Sequence, residues 1–132
     1  MKKKIMGATA LGASAALVAA GAVFASPASA APLEIERESS GMCSATARWD
    51  FNLERDFGVV DIDFEIDGAT AGQRWTVRME KNGKKILSRS VIADNEGELD
   101  VSHLVRDGAG TDKFSVRATS ATGQVCSASL RI

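Results

Sequence analysis

Two stretches between Val60 and Glu80 alternate with a strict period of two, which leaves only one kind of local structure open to them. Val60, Ile62, Phe64 and Ile66 alternate with Asp61, Asp63, Glu65 and Asp67. After a Gly-rich turn, Trp75, Val77 and Met79 alternate with Arg74, Thr76, Arg78 and Glu80. Successive side chains of a strand point to opposite faces, so each stretch reads as a strand with one buried and one wet face. Read as a hairpin, the two pair Ile66 with Trp75, Phe64 with Val77 and Ile62 with Met79, because residues directly opposite share a face. That register sets Asp67 against Arg74 and Asp63 against Arg78 on the outside, with Asp61 against Glu80 as a mismatch. Asp61, Asp63, Glu65, Asp67, Arg74 and Arg78 thus form a candidate interaction face. Exposed cross-strand ion pairs contribute only about 0.2–1 kcal/mol each, so the apolar face drives the pairing. Asn82-Gly83, flanked by lysines, marks a type I′ turn, which requires positive φ at both central residues. The pattern predicts three consecutive antiparallel strands reaching Val91.

The first thirty residues are of another kind. Lys2, Lys3 and Lys4 precede an Ala/Gly/Leu/Val run, then Pro27 and Ala28-Ser29-Ala30. A basic start, an apolar middle and small residues before a cut predict a Sec-type signal peptide over residues 1–30, cleaved between Ala30 and Ala31. An uncleaved anchor is the alternative, disfavoured by the weak hydrophobicity of the Ala and Gly content and by Pro27. Without a cysteine near the cut, a lipid-anchored form is not expected, and there is no twin arginine. The chain is therefore expected to be secreted, with a single domain over residues 31–132. That part holds thirteen bases and all seventeen acids, a net charge of −4. The balance argues against a nucleic-acid partner and, after cleavage, against a membrane, and no basic stripe is visible along the sequence.

Cys43 and Cys126 are the only cysteines, and both lie in the exported part, where thiols are oxidised. They are expected to form a disulfide between the start of the domain and its last strand. A metal site is the rival reading, but it needs more ligands than a single histidine helps to supply.

A short edge strand over residues 33–37 and a Ser39-Ser40-Gly41 turn are predicted first. Cys43, Ala45, Ala47, Trp49, Phe51 and Leu53 then share the inner face of a long strand. Past Asp94 to Gly97, Leu99 and Val101 mark another strand, and the period is lost from Ser102 to Arg106. Phe114, Val116 and Ala118 pair with Leu130, Ala128 and Cys126 in a last hairpin, with Gly123 taking the left-handed position of a three-residue loop. Seven or eight short strands, turn residues between them and no helical period predict an all-β, antiparallel two-sheet sandwich of immunoglobulin or fibronectin III character. Its expected core is built around Trp49, Phe64 and Trp75. A small closed barrel is the alternative.

The signal peptide, the early Cys43, Trp49, I-D-F-E-I-D, G-Q-R-W-T-V, K-N-G, A-G-T-D and T-G-Q-V-C together resemble the small secreted proteins of Streptomyces-type actinobacteria. The resemblance spans Cys43 to Cys126. It implies an exported β-sandwich and carries over no catalytic residue.

For an enzyme, His103 is the only histidine, and no G-x-S-x-G elbow presents a serine to it. The carboxylates alternate outward, where a glycosidase acid raised by burial is not expected. No cofactor is implied. Asp63, Glu65 and Asp67 match the first half of a calcium loop, but the twelfth position is Arg74 and the apolar residues between them demand a strand. Asp94, Glu96, Glu98 and Asp100 form a second acidic group on a turn. Trp49, Phe51, Phe64, Trp75 and Phe114 all take inward positions, leaving Phe57 as the one aromatic free to stack on a sugar. The expected function is a non-catalytic extracellular binding or accessory module for an extracellular or cell-surface protein. A small secreted hydrolase and a carbohydrate- or calcium-binding module are the alternatives.

Overall fold

Eight strands form where the alternation runs in the computed structural model, which describes residues 34–132. They are β1 (Ile35–Met42), β2 (Arg48–Asp56), β3 (Val59–Asp67), β4 (Arg74–Lys81), β5 (Lys84–Ile92), β6 (Leu99–Arg106), β7 (Lys113–Ser120) and β8 (Val125–Arg131). The predicted signal peptide, its cut between Ala30 and Ala31, and Leu33 lie outside the described residues. Two antiparallel four-stranded sheets result, ordered β1-β2-β3-β6 and β5-β4-β7-β8. The chain crosses between sheets after β3, β5 and β6 and turns within a sheet elsewhere. Apart from the added edge strand β1, this is the connectivity of a fibronectin III-like sandwich.

The inner faces meet in one core. From the first sheet, Phe51, Leu53, Ile62, Phe64 and Ile66 are buried; from the second, Trp75, Val77, Met79, Phe114, Val116 and Ala118. Phe51 stands directly opposite Phe64, their rings edge to face at 6.2 Å. Each such fully buried side chain stabilises the fold by about 1.5–3 kcal/mol relative to exposure. Trp49 is an exception to the expected core: it lies half-buried at the rim, against Gly41.

Cys43 and Cys126 are bonded, closing a separation of 83 residues between the β1–β2 turn and β8. The bridge joins the two sheets, and by chain entropy it contributes on the order of 4 kcal/mol. Backbone contacts reinforce the seam. Ser44 N–H donates to Val125 O at 2.8 Å, Val125 N–H to Ser44 Oγ at 2.9 Å, and Ala47 N–H to Gln124 Oε1 at 3.0 Å.

Both remaining hairpin expectations hold. Asn82 and Gly83 take φ of 52° and 82°, and β7 pairs with β8 through Phe114–Leu130, Val116–Ala128 and Ala118–Cys126, with Gly123 at φ 91°. The expected hairpin of β3 with β4 does not form. β3 pairs with β2 and β6, and β4 pairs with β5 and β7, so neither Asp67–Arg74 nor Asp63–Arg78 is a pair, and Asp61 does not face Glu80. The reason lies in residues 68–73, whose turn, Gln73 N–H to Thr70 O, does not join β3 to β4, and which bond instead to the β5–β6 connection. Ala69 N–H donates to Gly97 O, and Gly72 N–H and Ala93 N–H donate to Ala93 O and Gln73 O. Both strands keep their predicted inward faces, each to a different sheet.

Three further corrections concern strand ends. Ser39, Ser40 and Gly41 lie inside β1, because Gly41 leaves room for the Trp49 indole; a Cβ there would stand 2.7 Å from it. The turn falls at residues 43–47, closed by Cys43 N–H to Ala47 O, so Ala45 is exposed. β6 continues through Arg106, with Leu99, Val101, His103 and Val105 pointing inward.

Candidate interaction faces

With the inner faces assigned, the polar phase of every strand falls on one of two outer surfaces. The outer face of the first sheet is acidic. β3 presents Asp61, Asp63, Glu65 and Asp67, β2 adds Asp50, Glu54 and Asp56, β1 adds Glu36 and Glu38, and β6 adds Asp100, against Arg48 and Arg106. Like charges stand directly opposite across strands: Glu36 faces Glu54, Glu54 faces Asp61, Asp50 faces Glu65, and Glu65 faces Asp100. Such pairs destabilise a sheet.

The titration behaviour follows from this crowding. Asp100 is pushed up to about 7 by partial burial, a hydrogen bond shared with Asp63, and the charges of Asp63 and Glu65. Glu54 is likewise pushed up to about 7, chiefly by a hydrogen bond shared with Glu34, then by desolvation and by the charges of Glu34, Glu36 and Asp61. Asp61 is raised by burial and by Asp63. Ser102 Oγ donates to Asp63 Oδ1 at 2.8 Å, and Asn52 Nδ2 donates to Glu36 Oε1 at 3.3 Å. Between β1, β2 and β3 a shallow groove of about 400 Å³ is lined by Glu38, Ser40, Asp50, Asn52, Asp63 and Glu65.

The outer face of the second sheet carries the opposite sign. Arg74 and Arg78 on β4, Lys85 on β5, Lys113 and Arg117 on β7 and Arg131 on β8 share it with Ser and Thr hydroxyls, and Glu80 is its acid. Arg78 Nε donates to Glu80 Oε2 at 2.9 Å.

The six residues expected to form one interaction face are therefore divided. Asp61, Asp63, Glu65 and Asp67 lie on the first sheet, while Arg74 and Arg78 lie on the second, on the far side of the core. The basic face is gathered from strands distant in sequence and is no stripe along the chain. Its residues are distributed over four strands, and net charge does not locate them. Nor does the sequence place the acids of β1, β2 and β6, Asp100 among them, on the same surface as those of β3. Each sits at the polar phase of its strand, but only the sheet order shows which phases share a surface.

Other singled-out residues have local roles. Asp94 Oδ1 accepts the N–H groups of Glu96 and Glu98, both at 2.9 Å, and these bonds hold its carboxyl below the usual range. A hydrogen bond shared with Asp67 raises Glu98. Asp63, Glu65 and Asp67 project from a strand, not a loop. Among the described residues no three His, Cys, Asp or Glu side chains converge as a metal site. His103 is half-buried on the edge strand β6, opposite Ile62. Phe57 is 78% exposed at the tip of the β2–β3 hairpin, with Gly58 beside it. No helix among the described residues is long and apolar enough to cross a membrane. No protein family's sequence profile matches this chain, and no curated protein or solved structure is significantly similar to it.

Proposed function

We propose that this chain is an exported, non-catalytic binding module that holds a cationic protein partner on the acidic outer face of its first sheet. The observation that carries this reading is the row Asp50–Glu65–Asp100, three carboxylates directly opposite one another on adjacent strands, with Asp100 pushed up to about 7. Each like-charge pair works against the fold by up to about 1 kcal/mol, whereas mixing the signs would relieve it. A cationic partner supplies the missing counter-charge and gains rapid association by electrostatic steering. Export is supported by the Cys43–Cys126 bridge, which suits an oxidising compartment, and by the basic-then-apolar start of the sequence.

The test is affinity capture by the purified, oxidised protein from the producing cells' secreted and surface proteins, run with charge-reversed variants. Wild-type protein and Arg78→Glu/Arg117→Glu are expected to capture the same basic protein, while Asp63→Lys/Glu65→Lys loses it. Capture unaffected by Asp63→Lys/Glu65→Lys overturns the assignment of the acidic face.

A further inference from the structure

We propose that the outer face of the second sheet binds a linear polymer of phosphate groups, with Arg78 and Arg117 as its central clamp. These two residues stand directly opposite each other on the central strands β4 and β7. Ser88 faces Arg78 from β5, and Ser127 faces Arg117 from β8, so one row across the sheet reads Ser88, Arg78, Arg117, Ser127. Two guanidinium groups are placed side by side with a hydroxyl at each end. The arrangement destabilises the empty face, since like charges oppose each other across the strands.

Neither arginine is neutralised within the row. Arg117 is exposed and has no ion pair or hydrogen bond among the described residues. Arg78 engages Glu80 through Nε, which holds the side chain in place while leaving its terminal N–H groups free to point outward. Between them a groove of about 280 Å³ is lined by both arginines, Ser115, Val116, Ser127, Ala128 and Glu80, whose carboxylate is paired with Arg78. Paired guanidinium forks with flanking hydroxyls offer more donors than a planar carboxylate accepts, and they suit a tetrahedral phosphate.

The ligand is a polymer because the charge recurs. Arg74 lies four residues before Arg78 on β4, and Lys113 lies four residues before Arg117 on the antiparallel β7, so the two extend to opposite sides of the central row. At about 3.3 Å per residue each is roughly 13 Å from that row along the strands. Arg131 joins Lys113 from β8. A single phosphate fills only the middle level, whereas an extended chain reaches all three. Nucleic acid fits less well. Trp75 and Phe114 are buried beneath the face and Phe57 belongs to the other sheet, so bases find no aromatic side chain to stack on. The acidic sheet lies opposite and repels the polymer toward the basic one. This site shares no residue with the cationic-partner face, so either proposal stands or falls without the other.

The test uses the full chain, purified with its disulfide formed, and end-labelled inorganic polyphosphate long enough to span the three levels, followed by fluorescence anisotropy. Binding is expected to weaken with salt, with a log–log slope near −2, as three neutralised phosphates at about −0.7 each imply. Arg78→Gln/Arg117→Gln, with unchanged tryptophan emission as the sign of an intact fold, is expected to lose affinity at least about tenfold, the effect of one charge-assisted contact. Orthophosphate at equal phosphate concentration is expected not to compete. The proposal is overturned by no binding, by unchanged affinity in that variant, or by full competition from orthophosphate. Equal affinity for polyglutamate or single-stranded DNA overturns it as well.

Discussion

At the scale of single residues, steric room and crowded charge decide more than chemical identity does. Gly97 is buried in the β5–β6 connection at φ 75°, and a Cβ there would overlap the carbonyl oxygen of Ala69, whose N–H donates to Gly97 O. Gly97→Ala is therefore expected to destabilise the fold by more than about 2 kcal/mol. Left-handed strain accounts for roughly 1–2 of this and the backbone overlap for the rest. Urea denaturation followed by tryptophan emission measures it, and an unchanged midpoint refutes the close approach. Asp100 gives a prediction of opposite sign. Its folded pKa, about 7, lies above the ordinary 3.8, so the folded state binds more protons than the unfolded chain between those values. The stabilisation present below pH 4 is lost as pH rises through 7. Stability is expected to increase on acidification from pH 8 to pH 5, and Asp100→Asn is expected to gain up to about 1 kcal/mol at pH 7 while flattening that dependence.

Elements were legible in proportion to how local their determinants are. The β4–β5 and β7–β8 hairpins could be read because Asn82-Gly83 and Gly123 fix their turns within a few residues. The pairing of β3 could not, since alternation states which face a strand buries but not which strand lies beside it. That one ambiguity also divided the expected interaction face and hid the segregation of charge. The β2–β3 hairpin shows how far a turn can depart from its usual residues. Phe57 and Gly58 take φ of 49° and 76°, a backbone close to that of Asn82 and Gly83. Asn82, however, also donates to Asp112 Oδ1 at 2.9 Å and accepts from Lys113 N–H at 2.8 Å, whereas Phe57 is exposed. A bulky residue in the left-handed region costs about 1–2 kcal/mol, and Asn adopts it more readily. Phe57→Asn is thus expected to raise the urea midpoint by the equivalent of about 0.5–1 kcal/mol, and a fall would show that the ring packs more tightly than its exposure implies.

For the whole molecule the governing feature is a sandwich whose two outer faces carry opposite charge. Like charges within a face are separated by the strand spacing, about 5 Å, whereas the two faces lie beyond the roughly 10 Å that separates packed sheets. At about 0.1 M salt the screening length is about 10 Å, so attraction between the faces is already weak while repulsion within each persists. Raising the salt to about 1 M shortens that length to about 3 Å and removes most of the repulsion. Sodium chloride is therefore expected to stabilise this protein at pH 8, where Asp100 and Glu54 are ionised, in contrast to a fold held by surface ion pairs. Comparison variants separate this from a general salt effect. Arg117→Glu, which sets a carboxylate directly opposite Arg78, and Asp63→Lys/Glu65→Lys each mix the signs on one face, and each is expected to show a smaller gain than the wild type. A destabilising response to salt in the wild type would mean that pairs such as Arg55–Asp107, 2.8 Å apart, outweigh the like-charge rows. Segregation of charge would then cost the isolated domain nothing, and neither face would await an opposite charge.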